Sequence, residues 1–182
     1  MLINFIEQLI NGLRTGSIYA LIAIGYTMVY GIAKMINFAH GDIIMVGAYA
    51  LYFSISVLGL PVPVALVITV IVCAVLGVVI EKVAYKPLRS APPLAVLITA
   101  IGMSFFLQSA SLLIFGSTPI PFQSVIPNLN ISVGPVVISS ITVVTLIVTA
   151  IAMILLTLFV NKTKMGSAMR AVSEDKGAAE LM

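Results

Sequence analysis

Pro63-Val-Ala-Leu-Val-Ile-Thr-Val-Ile-Val-Cys-Ala-Val-Leu-Gly-Val-Val-Ile80 contains no charged residue, and Thr69 supplies its one hydroxyl. At 1.5 Å per residue a helix of this length reaches about 27 Å, close to the ~30 Å hydrocarbon thickness of a bilayer. The stretch therefore predicts a membrane-spanning helix. Working outward finds four more of the same kind, at residues 15–33, 43–60, 94–115 and 136–160. Turn signals separate them: Gly59-Leu-Pro61-Val-Pro63, Ser90-Ala-Pro92-Pro93, and a longer connection over 116–135 with four prolines and two glycines. That last connection has no charge and is rich in Ser, Asn and Pro, which suits a loop over the outer face. The expected fold class is all-α, a polytopic transmembrane helical bundle of about five spans over residues 1–160. A charged, soluble segment follows at 161–182.

Composition agrees with this reading. Hydrophobic residues make up 61% of the chain and charged residues 8%, with a mean hydropathy of +1.22. A soluble domain could not bury that much apolar surface. The net charge of +3 is scattered among the connections, with no basic stripe interleaved with aromatics, so nucleic acid is excluded as a partner. The one cysteine, Cys73, lies inside the 63–80 run and reads as a small apolar residue, not a disulfide or metal ligand. No cofactor is indicated.

Basic residues orient the bundle, because Lys and Arg near span ends are retained in the cytoplasm. With five spans, one side holds Lys34, then Lys82, Lys86 and Arg89, then Lys162, Lys164, Arg170 and Lys176, while the other holds Arg14 alone. The terminal segment is thereby expected in the cytoplasm and the N-terminus, by parity, outside. The first residues, Met-Leu-Ile-Asn-Phe-Ile-Glu7, lack the basic start of a signal peptide and are expected to stay uncleaved. Glu7 and Arg14 are expected near one face of a helix that enters the membrane obliquely before the first span. Gly12, Gly16 and Ala20 recur every four residues and form a groove that another helix can approach closely.

Between the first two spans lies Asn37-Phe38-Ala39-His40-Gly41-Asp42. Polar groups at membrane depth face a cavity or pair with each other. One reading is a proton relay of His40 and Asp42, since imidazole changes charge near neutral pH. The other is structural: Asn37 or Asp42 caps a helix starting at Ile43, Gly41 permits a tight bend, and His40 fixes that bend by hydrogen bonds. Polar residues within the spans are few, and none is charged at mid-span. Tyr19, Thr27, Ser104 and Gln108 are candidates to line a pathway, although Gln108 equally suits an interhelical hydrogen bond.

The terminal segment holds almost half of the charged residues. Gly166 is expected to stop one helical stretch, and Ser173 to cap a second one running to Met182, with Glu174 and Asp175 at its positive end. Ala178, Ala179 and Leu181 would give that helix a small apolar surface fit for a groove in a soluble partner. A solvated loop is the plainer alternative, because so short a helix is unstable without tertiary contacts.

Two stretches carry a specific resemblance. Gly16-Ser-Ile-Tyr-Ala-Leu-Ile-Ala-Ile-Gly25 followed by Ile36-Asn-Phe-Ala-His-Gly-Asp42 resembles the signature of branched-chain amino acid ABC importer permeases of the LivH type. Gly166-Ser-Ala-Met-Arg170-Ala with Glu174-Asp-Lys-Gly-Ala-Ala-Glu-Leu-Met182 resembles that family's coupling segment. The resemblance covers the whole chain, with both motifs in family order. It implies a transport subunit, not an enzyme, paired with a second permease subunit. It also implies cytoplasmic ABC ATPase subunits that hydrolyse ATP, and an external substrate-binding protein that delivers leucine, isoleucine or valine. Gly166, Arg170, Ala171, Glu174, Ala178, Ala179 and Leu181 would meet the ATPase, and the 37–42 motif would organise the connection between the first two spans. The lack of a Walker A pattern here agrees with hydrolysis on another subunit. Similar permeases carry urea and short amides, and a proton-coupled carrier using His40 and Asp42 is the rival class. Family members usually continue past the coupling segment with further spans. The resemblance therefore implies that part of the pathway lies beyond this sequence, and transport by this stretch alone is not expected.

Overall fold

The computed structural model describes residues 1–88, 91–122, 127, 129–133 and 136–174. Five of its helices are long and apolar enough to cross a membrane, so the all-α fold holds. The chain divides into two compact units at Lys34 and again after the fourth spanning helix.

The first unit contains α1 (Leu2–Ala33), a two-stranded ribbon, α5 (Ser140–Lys162) and α6 (Lys164–Glu174). α1 is one continuous helix of 32 residues, about 48 Å long at the usual rise. Glu7 and Arg14 both lie on this helix as expected, and with no Pro to interrupt the run the same helix continues into the span. No described atom lies within 4 Å of the position a Cβ would take at Gly12 or Gly16. α5 begins four residues later than expected. Residues Val136–Ser139 are drawn off as strand β2, pairing antiparallel with β1 (Asn130–Val133) so that Asn130 opposes Ser139 and Val133 opposes Val136. Ser139 then caps α5, its hydroxyl oxygen accepting from the Ile141 N–H at 3.3 Å. Ser140 Oγ locks the ribbon base, donating to the Pro127 carbonyl at 2.7 Å and accepting from the Leu129 N–H at 3.0 Å.

The second unit contains α2 (His40–Tyr52), α3 (Val62–Ile80) and α4 (Pro93–Phe115). Prolines stand in the first turns of α3 and α4, where a missing N–H leaves nothing unpaired. α2 continues through a π-helical segment, Phe53–Val57, and α3 through a second, Glu81–Tyr85, then a single 3₁₀ turn to Leu88. The core of this unit is Ala39, Ile80, Ala84, Tyr85, Val96, Ala100 and Leu107. α2 and α3 cross closely because position 47 has no side chain: a Cβ there would stand 2.9 Å from Cys73 Sγ. Cys73 also directs its thiol to the Ile43 carbonyl at 3.8 Å, which accounts for it as a close-contact residue. Tyr49 stacks on Phe115 at 3.9 Å between ring centroids, tying the far end of α2 to α4. Large apolar side chains such as Val70, Phe105 and Leu113 point outward, as lipid-facing helix surfaces require.

Candidate functional site

The connection into α2 is built around one carboxamide. α1 ends where Lys34 adopts a left-handed conformation, φ 54° and ψ 25°, with its N–H donating to the Tyr30 carbonyl at 2.8 Å. Asn37 Oδ1 then accepts the Ala39 N–H at 3.0 Å, an Asx turn, and also accepts the Tyr85 hydroxyl at 2.9 Å. The His40 N–H donates to the Asn37 carbonyl at 3.2 Å, and the Ile43 N–H to the Ala39 carbonyl at 3.0 Å. α2 thus starts at His40 with Ala39 as its cap, not at Ile43. Gly41 lies within the first helical turn and makes no bend; no described atom approaches its Cβ position. Ala39 is fully buried and Phe38 is exposed.

Asp42 occupies the first turn of α2 and is 7% exposed. An acid suits a helix N-terminus. Gln108 Nε2 donates to Asp42 Oδ1 at 3.0 Å and to Ser104 Oγ at 3.1 Å, forming a polar string from α2 to α4. Asp42 Oδ2 is buried without a hydrogen-bond partner among the described residues. Of the four proposed pathway residues, Ser104 and Gln108 meet in this string. Tyr19 is exposed on α1, and Thr27 donates to the Ile24 carbonyl of its own helix at 3.0 Å.

The charged segment folds differently from expectation. Thr163 is extended, at φ −101° and ψ 153°, and its hydroxyl donates to the Phe159 carbonyl at 2.6 Å while accepting the Gly166 N–H at 3.0 Å. Those bonds cap α6, whose first turn contains Gly166. Gly166 is buried there, and a Cβ on it would fall on the backbone carbonyls of Val160 and Phe159. Gly166 is therefore the corner at which α6 turns back on α5, not a helix stop. Ser173 lies inside α6 with its hydroxyl donating to the Arg170 carbonyl at 2.7 Å, and the second helix expected from there to Met182 lies, beyond Glu174, outside the described residues. Within the same unit Ser173 Cβ comes 3.9 Å from the Cβ position of Gly31 on α1. Arg170 and Glu174 are exposed, Arg170 reaching Asn161 Oδ1 at a long 3.4 Å, and Ala171 is half-buried. Ala178, Ala179 and Leu181 lie outside the described residues.

A family profile described as "Branched-chain amino acid transport system / permease component" matches residues 8–182. The chain belongs to this family. It is 42% identical over 98% of its length to the high-affinity branched-chain amino acid transport system permease protein BraD of Pseudomonas aeruginosa. It matches the LivH proteins of Salmonella typhimurium and Escherichia coli K12 at the same identity and coverage. The chain spans about 62% of the length of these relatives. No solved structure matches it. Membership of the permease family and the five apolar helices make this a multi-pass inner-membrane protein.

Three features of this chain escaped the reading of residue types. The Thr163 cap had a signal, a hydroxyl three residues before Gly166 at a span end. The contact of Gly47 with Cys73 and the tie from Tyr85 to Asn37 depend on helix crossings and have no local signature.

Proposed function

We propose that this chain is a transmembrane permease subunit of an ABC importer for branched-chain amino acids. On this reading residues 1–160 form part of the translocation pathway, and 161–182 couple it to a separate ATPase in the cytoplasm. The observation that carries the proposal is 42% identity along 98% of the chain to proteins named as branched-chain amino acid permeases. The same names favour the importer over a proton-coupled carrier. A second permease subunit, paired ATPases and an external binding protein complete the machine. A cytoplasmic side for α6 is supported by the basic residues Lys162 just before it and Lys164 and Arg170 within it.

Arg170 and Glu174 are exposed, so replacing them leaves the bundle intact. Arg is a frequent interface anchor whose loss costs about 2 kcal/mol or more. Arg170→Ala is expected to lower co-purification of the ATPase subunit about tenfold or more, with Glu174→Ala having a smaller effect and membrane insertion unchanged. Unaltered recruitment in both variants contradicts the coupling role. Competition of labelled leucine uptake by valine and isoleucine, and its absence with urea, tests the substrate.

A further inference from the structure

The quoted family signature ends at Asp42, yet the turn that opens α2 is held by a residue 48 positions beyond Asn37. We propose that Tyr85 is a positioning residue: its hydroxyl fixes the Asn37 carboxamide, and through it the first turn of α2 and the Asp42 side chain. The proposal rests on the permease reading for its purpose, since it concerns how one connection between spans is set.

Several observations converge on it. The Tyr85 ring is 9% exposed in the core of its unit, beside Ala39, Ile80 and Val96. A phenol so placed needs a partner for its hydroxyl, and Asn37 Oδ1 stands at 2.9 Å. That same oxygen accepts the Ala39 N–H, so the tyrosine orients the group that shapes the turn. Tyr85 reaches this place through a wider helical turn: the Lys86 N–H bonds back five residues to the Glu81 carbonyl. Such π turns inside helices occur frequently at functional sites. From Asn37 the hydrogen bonds run to His40 and, through Ala39, to Ile43, which brackets Asp42.

The test uses the full chain in lipid nanodiscs and follows amide hydrogen exchange peptide by peptide. Tyr85→Phe keeps the ring in the core and removes only the hydroxyl. Exchange of residues 38–43 is expected to accelerate about 2- to 10-fold, with α4 unchanged. Asn37→Ala is expected to do at least as much, and Tyr85→Phe added to it to do nothing further. Asn37→Asp, which keeps an acceptor oxygen, is expected to restore slow exchange. Exchange at 38–43 unchanged by Tyr85→Phe, additive effects of the two substitutions, or equal acceleration throughout the unit would each overturn the proposal. Uptake in vesicles with the partner subunits is a separate arm. There Tyr85→Phe is expected to lower the maximal rate several-fold, with half-saturation by the binding protein unchanged. A raised half-saturation with an unchanged rate overturns the positioning role in transport. Failure of the unaltered chain to co-purify with the partner subunits overturns the permease reading and leaves the exchange result to decide on Tyr85.

Discussion

Gly166→Ala is expected to weaken binding of the ATPase subunit by about fivefold or more while the protein still inserts into the membrane. Intrinsic propensity argues the other way, since alanine is favoured over glycine in a helix by about 1 kcal/mol. At this corner sterics decide. The added methyl falls on the carbonyls of Val160 and Phe159, which belong to α5 and cannot swing aside as a side chain could. α6 must pivot, at a typical overpacking cost of about 1–3 kcal/mol. Pivoting also strains the bonds from Thr163 to Gly166 and Phe159, and a lost cap costs about 1 kcal/mol. The sum exceeds the propensity gain, and each 1.4 kcal/mol taken from the docking-competent arrangement is about tenfold in affinity. Titration of detergent-solubilised protein with the ATPase subunit measures it. Equal or tighter binding by the variant would show that α6 does not need this corner.

Gln108→Leu is expected to destabilise the second unit by about 2 kcal/mol, as for a buried polar group left without its hydrogen-bond partner. The substituted side chain is exposed and larger apolar surface suits lipid, so the leucine itself is not the problem. The effect arises at Asp42, whose Oδ2 already lacks a partner and whose Oδ1 depends on Gln108 among the described residues. Removing one member of such a pair strands a buried polar group, whereas removing both relieves it. Asp42→Leu combined with Gln108→Leu is therefore expected to be more stable than Gln108→Leu alone, despite losing the favourable acid at the helix start. Thermal unfolding of the three variants in one detergent gives the cycle. A double variant whose loss equals the sum of the single losses would mean that the two side chains are energetically independent.

These two sites mark where reading the sequence succeeds and where it stops. The spans were legible because lipid imposes one requirement, a long apolar helix, that composition alone reveals; 63–80 and 94–115 match α3 and α4 within a residue at either end, α3 continuing beyond it in its π turn. The start of α5 was misread because Val136-Val-Ile138 is apolar enough for either lipid or a strand, and only its pairing with β1 decides. Gly166 was read as a helix stop from local propensity, whereas the backbone of α5 beside it makes glycine necessary. The Asn37–Asp42 motif stood out by its polarity. Of its fasteners, Gln108 was read as suited to an interhelical hydrogen bond without its partner being named, whereas Tyr85 was not singled out, since a tyrosine on a distant helix meets Asn37 only after the helices cross.

The coupling role proposed for α6 requires it to lie in the cytoplasm, and side-specific thiol labelling tests that most directly. Ser167 is exposed on α6; in a Cys73→Ala background, Ser167→Cys provides a single reporter there. With a membrane-impermeant maleimide, labelling is predicted in inside-out vesicles and not in sealed right-side-out vesicles. Labelling from the external side of sealed vesicles would put α6 out of reach of any cytoplasmic ATPase and contradict the account.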